Sequence, residues 1–171
     1  MSKFDYSLDF ANLNFRQNPE LYCVGRGEQG VLLVEPYKSE ILPDWRFKNP
    51  DIATESSNKI YQKFLNYLAE DDIVGADMAR KFLQMGYTRS RRYANHKSGQ
   101  KYRQNPQKAE SKIAEKKARQ EILPLDVDPV KAKSAEIFKA KWQEAKNNPK
   151  YQQLLKIHKQ KYQAQHSSKA N

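Results

Sequence analysis

Ile73-Val74-Gly75-Ala76-Asp77-Met78-Ala79-Arg80-Lys81-Phe82-Leu83-Gln84-Met85-Gly86-Tyr87-Thr88-Arg89-Ser90-Arg91-Arg92-Tyr93 is the stretch on which the fold turns, because its character changes partway along. Asp71 or Asp72 can cap a helix here, and Ile73, Val74, Met78, Phe82 and Met85 recur at helical spacing. Gly86 then reads as the C′ residue that ends it. The chain beyond Gly86 is basic and aromatic, and runs on through Asn95-His96-Lys97 to Lys101-Tyr102-Arg103. The expectation is one buried helix and then a separate basic segment.

Upstream, Leu21 to Val24 and Val31 to Glu35 are short β-prone runs flanking Gly25-Arg26-Gly27-Glu28-Gln29-Gly30, which predicts a β-hairpin. The glycine run matches G-x-G-x-x-G, but Val31-Leu32-Leu33-Val34 comes next, where a dinucleotide fold needs a helix, so the turn reading is preferred. After Pro50, Ile60, Tyr61, Phe64, Leu65 and Leu68 predict a helix. Five Asx-Pro pairs begin at Asn18, Asn49, Asn105, Asp128 and Asn148. Four of them precede helix-like segments, where the Asx side chain caps and proline opens the first turn.

Downstream, Pro106 to Leu123 is helix-compatible but poorly amphipathic, and puts Lys108, Lys112, Lys116 and Arg119 on one stripe. Val130, Ile137, Phe138 and Trp142 form one further apolar stripe, and Tyr151, Leu154, Leu155, His158 and Tyr162 another, so the two can pair across Asn147-Asn148-Pro149. The fold class read from these elements is α+β and α-rich: a small N-terminal β-hairpin packed on helices, then a basic C-terminal helical arm. Residues 1–104 form the mixed core with the Arg/Tyr segment at 80–103, 105–162 the arm and 163–171 a polar tail.

Charge points to the partner. Residues 1–79 carry 8 Lys/Arg against 13 Asp/Glu, whereas residues 80–171 carry 23 against 7, and no acid occurs from Met78 to Ala109. Folding gains nothing from gathering one sign of charge, so a polyanion is implied. Between Arg80 and Arg103 there are eight Lys/Arg, interleaved with Tyr87, Tyr93 and Tyr102. Arginine forks hold phosphate bidentately, and tyrosines give flat platforms for unpaired bases.

The candidate nucleic-acid contacts are Arg80, Lys81, Arg89, Arg91, Arg92, Lys97, Lys101 and Arg103, with Tyr93, Tyr102, Asn95 and His96 for stacking or base edges. The stripe Lys108, Lys112, Lys116 and Arg119 extends the track, and Arg26 can touch a phosphate from the glycine-rich turn. RNA is preferred over DNA, since Arg/Tyr interleaving suits irregular or single strands. The basic arm resembles the extensions by which ribosome-associated proteins thread between RNA helices, which makes the ribosome the concrete candidate partner.

Three rivals remain. A helix-turn-helix would place the segment from Thr88 in a DNA groove, with Gly86 in the turn. A nucleic-acid-processing enzyme would gather Glu35, Glu40, Asp44 and His96 beside Arg26. An adaptor for an acidic protein would expose Trp142, Tyr151 and Leu155.

The histidines His96, His158 and His166 and the lone Cys23 have no metal-ligand spacing, so no metal or cofactor is expected. His158 reads as a packing histidine, and Trp45 and Trp142 as core anchors. The lone cysteine and the lack of any signal-like or membrane-length apolar run lead to a cytoplasmic expectation.

Several runs are distinctive: Gly25 to Lys38 continuing to Pro43-Asp44-Trp45-Arg46-Phe47, Met78 to Tyr93, and Phe138-Lys139-Ala140-Lys141-Trp142. They resemble a bacterial and phage family of unknown function whose members carry the label "cytoplasmic protein". The resemblance implies one cytoplasmic domain and transfers no activity and no site residues.

Overall fold

The computed structural model describes residues 4–163, and His166 and the rest of the expected polar tail beyond Gln163 lie outside them. Over the described residues the fold is all-helical. Its elements are α1 (Tyr37–Ile41), α2 (Pro50–Ala69), α3 (Ile73–Asn95), α4 (Lys112–Gln120), α5 (Pro129–Lys146) and α6 (Pro149–His158), with short 3-10 turns before α1, between α1 and α2, and between α3 and α4. Among the described residues there is no strand. A single isolated antiparallel bridge joins Tyr102 to Ile122.

The axis of the molecule is α3, which packs against α1, α2, α5 and α6. From Val74 to Gly86 it is buried on all sides except at Gln84, and beyond Gly86 only Ser90 and Ala94 remain buried. Asp72 caps it by accepting a hydrogen bond from the Gly75 amide at 3.0 Å. The other caps foreseen hold as well. Asn49 accepts from Ile52 (2.9 Å), Asp128 from Val130 (2.9 Å) and Asn148 from Tyr151 (3.1 Å). Phe138 and Ala145 of α5 and Tyr151 of α6 join Phe64, Met78, Phe82 and Leu83 in one core, so α5 and α6 belong to the body of the fold.

Three expectations are corrected. The first is the hairpin, and with it the α+β class. Residues 22–25 are irregular and residues 27–33 form consecutive turns, with Val31 N donating to Glu28 O and Leu33 N to Gly30 O. Some apolar residues of this stretch still reach the core, where Val24, Val31 and Val34 are buried. The Gly27 and Gln29 carbonyls accept from Arg80 and Lys81 of α3 rather than from a neighbouring strand, so these backbone acceptors need no ladder. Gly30 sits at φ +78°, and a Cβ there would stand 2.2 Å from the Phe4 ring, so the turn and its packing both require glycine.

The second correction is the Gly86 stop. The helix runs through it, because Phe138 of α5 lies where a Cβ would be, 2.2 Å away. Gly86 provides a close approach between helices instead of an end, and the turn needed by a helix-turn-helix is not formed there.

The third concerns Pro106 to Leu123. A 3-10 turn at Pro106–Lys108 is followed by a break, and α4 starts afresh under a Ser111 cap that accepts from Ala114 N at 3.1 Å. Lys112, Lys116 and Arg119 share that helix; Lys108 does not.

Candidate functional site

The helical face carrying Asp77, Arg80 and Lys81 would be apolar in an ordinary central helix, and here it holds an ion cluster. Asp77 is fully buried. Its Oδ1 accepts from Tyr151 OH at 2.6 Å and from Arg80 Nη2 at 2.7 Å, and its Oδ2 accepts from Tyr22 OH. Lys81 Nζ lies 3.8 Å from Oδ2, donates to Gln29 O at 2.6 Å, and stands over the rings of Tyr22 and Phe4 at 4.8 and 5.2 Å. Arg80 also donates from Nε to Asp77 Oδ1 at 3.1 Å and from Nη1 to Gly27 O and Gln84 Oε1, both at 2.7 Å.

Burial acts to raise the Asp77 carboxyl, but the charges of Arg80 and Lys81 outweigh it and hold the group far below the usual aspartate range. Burial also pushes Lys81 down to about 8, and raises both tyrosine hydroxyls, which face the Asp77 charge. Arg80 and Lys81 therefore tie the N-terminal segment and α6 to α3. Neither is offered to a phosphate, which removes them from the predicted contacts.

Past Gly86 the emerging end of α3 becomes one wall of a groove of about 490 Å³. The helix contributes Thr88, Arg89, Arg92 and Tyr93, and the loop after it contributes Gly99, Tyr102, Asn105, Pro106 and Gln107. Arg119 of α4 and Glu28 from the N-terminal turns close it.

The opposite wall is fixed by backbone. Arg103 N donates to Glu121 O at 3.0 Å and Leu123 N to Lys101 O at 2.9 Å, clamping the loop to the chain leaving α4. Asn105 caps its own short turn by accepting from Gln107 N at 3.0 Å. Arg92 Nε donates to Gly99 O at 2.6 Å, and its guanidinium carbon lies 6.0 Å from the Tyr102 centroid, with Lys101 Nζ at 5.4 Å from the same ring. Arg119 rests on Glu115 at 2.8 Å, an exposed helical pair of small energetic weight.

Glu28 is the acid lining the groove. Burial raises its carboxyl above the ordinary glutamate value, against the Thr88 hydrogen bond at 3.1 Å and the charges of Arg89 and Arg80. Chemically the groove offers arginine forks and two tyrosine faces.

Arg89, Arg92, Tyr93, Tyr102 and Arg119 are thus brought together from the predicted set. Arg26, Lys97, Arg103, Lys108, Lys112 and Lys116 are exposed outside the groove, and Arg91, Asn95 and Lys101 are half-buried. His96 is buried at the end of α3, with its Nδ1 unpartnered among the described residues, so it presents no edge to the groove.

The residues of the rivals disperse. Glu35 holds Ser39, Glu40 holds Arg16 and Tyr67, and Asp44 faces Lys63. Among the described residues no His/Cys/Asp/Glu group is arranged to hold a metal. Tyr151 is buried and Trp142 stacks on Tyr87 at 5.9 Å, so neither forms an exposed docking face. His158 packs as foreseen: it is buried, and its Nε2 donates to Tyr22 O at 2.7 Å.

The sequence reading missed Glu28, Asn105 and Gln107 as groove residues. They come from segments whose proximity to α3 has no local signal, and the Asx-Pro pair at Asn105, read as a helix start, opens only the short 3-10 turn Pro106–Lys108. No helix among the described residues is long and apolar enough to cross a membrane.

A family model described as "Domain of unknown function (DUF4385)" matches residues 5–161, and the chain belongs to that family. Neither a curated protein nor a solved structure matches it significantly.

Proposed function

We propose that this protein is a non-catalytic nucleic-acid-binding protein that holds single-stranded or irregular RNA along the groove. The observation that carries the reading is the convergence of Arg89, Arg92 and Arg119 with Tyr93 and Tyr102 from separated parts of the chain. Phosphates suit the guanidinium forks, and unpaired bases suit the tyrosine faces. Arg103 on the loop and Lys112 and Lys116 on α4, all exposed, extend the positive surface. A duplex-reading mode has less support, because α3 presents its basic end beside a walled groove instead of projecting as a free helix. Within this reading an RNA-rich assembly such as the ribosome in the cytoplasm is the setting that fits a basic arm.

The test is fluorescence anisotropy with single-stranded RNA, single-stranded DNA and duplex DNA of equal length over a salt series. If about six phosphates are neutralised, the log-log salt slope for the single strand is about −4. The double variant Arg89→Ala, Arg92→Ala should weaken binding and flatten that slope by about 1 to 1.5. Unchanged affinity and slope in a folded double variant would remove the assignment.

A further inference from the structure

Tyr93 borders two hollows. One contact is with the groove; the other is with a smaller apolar cleft of about 220 Å³ formed by Phe47, Ser90 and Tyr93 and rimmed by Lys48 and Lys131. That is below the ~300 Å³ at which sites for drug-sized molecules begin, and on the scale of one planar ring system. Phe47 and Tyr93 meet at 6.0 Å between centroids with planes tilted by 39°, leaving a corner of two aromatic faces rather than a closed stack. Tyr93 is 40% exposed.

Ser90 is 1% exposed, yet its Oγ has no hydrogen-bond partner among the described residues. A buried hydroxyl left unpaired is costly, and such groups are rare in native proteins. An occupant with an edge acceptor or donor would satisfy it. The ammonium groups of Lys48 and Lys131 make no ion pair among the described residues, so the rim is positive around an apolar floor. An aromatic ring with hydrogen-bonding edges and an attached anion matches the cleft on all three counts.

We infer that this cleft seats one base of the nucleic-acid strand held in the groove, turned across Tyr93, with its edge on Ser90 Oγ and its flanking phosphates on Lys48 and Lys131. The inference rests on the groove reading and adds to it a base-specific position. Ser90 is the hydrogen-bonding side chain there, so it would set which bases are accepted. Tyr93 serves both compartments.

The experiment uses the full-length protein and fluorescein-labelled decamers of single-stranded RNA, either intact or with one abasic position moved along the strand. One position should dominate, with an abasic site there weakening binding about tenfold, the scale of one base–aromatic stack. Lys48→Glu with Lys131→Glu should lower affinity and reduce the salt slope by about 1 to 1.5. Ser90→Ala should narrow the difference between bases at that position while the melting temperature holds or rises, since an unsatisfied hydroxyl is removed; a purely structural Ser90 would leave base preference unmoved.

Equal binding of all abasic strands, with Arg89→Ala and Arg92→Ala still weakening them, overturns the cleft and leaves the groove standing. No binding of any strand overturns both. Competition by free AMP or UMP as effective as by the decamer would make a mononucleotide the occupant, and overturns the strand-bound base.

Discussion

Asp77→Asn is the most informative single change to the scaffold, because it keeps the shape of the side chain and removes the charge that two buried cations face. Arg80 cannot shed its proton, so its two bonds to Oδ1 become charge–neutral contacts, a loss of about 1–2 kcal/mol. Tyr22 now faces an amide NH2 and must rotate its hydroxyl to accept, at a cost of about 1 kcal/mol.

Lys81 has an escape. Its folded pKa of about 8 lies roughly one unit above neutral pH, so once Asp77 is uncharged it can lose its proton for about 1 kcal/mol more. The sum is about 3–4 kcal/mol, in the range found when one partner of a buried ion pair is removed. For a chain of this size that lowers Tm by about 10 °C.

Urea unfolding at pH 7 and pH 9 measures it. The unfolded Lys81 stays charged to about 10.5, while the neutral Lys81 of the variant does not, so the variant gains stability with pH from 7 upward. The wild type begins that rise only near pH 8, and the penalty should therefore shrink by about 1 kcal/mol by pH 9. Adding Lys81→Met should abolish the shrinkage. A loss below 1 kcal/mol at pH 7, or a penalty that does not depend on pH, refutes the account of the cluster.

Two other outcomes are expected of the same structure. Gly86→Ala places a methyl 2.2 Å from the Phe138 ring, so despite better helix propensity it should destabilise by about 1–2 kcal/mol in thermal or chemical unfolding, and Phe138→Leu should partly restore it. Burial lowers the pKa of His158, so below about pH 6.5 the unfolded chain takes up a proton the folded one resists. Stability should fall through that window, and His158→Gln, which can still donate to Tyr22 O, should flatten the fall in a urea-midpoint series.

Much of the helical framework was legible in local chemistry. Asn49, Asp128 and Asn148 each stand before a proline and do cap the helices they announce. The features that escaped were decided by partners far along the chain. Gly86 resembles a helix end unless Phe138 is known to press on it. The runs on either side of Gly27 and Gly30 are β-prone in composition, and nothing nearby says that Arg80 and Lys81 will satisfy the Gly27 and Gln29 carbonyls.

Arg80 and Lys81 themselves looked like the start of the basic track. A cue was present: Asp77 stands three and four residues before them on the same face as the apolar series, which is the spacing of a helix-borne ion cluster. The groove was half legible, since the Arg/Tyr segment was singled out but not the turns that wall it. Phe47, Ser90 and Lys131 carried no signal at all, because the cleft arises only where three separated segments meet.

The uninterrupted course of α3 has a mechanical consequence. It is a rod of about 35 Å anchored at one end by Asp77 and bearing Arg89, Arg92 and Tyr93 at the other. No hinge at Gly86 separates the anchor from the gripping end, so a load on the arginines is carried into the core instead of being absorbed by a loose joint. Occupancy of the groove should then register as a rise in the melting point of the whole molecule, which makes thermal shift a direct screen for strands.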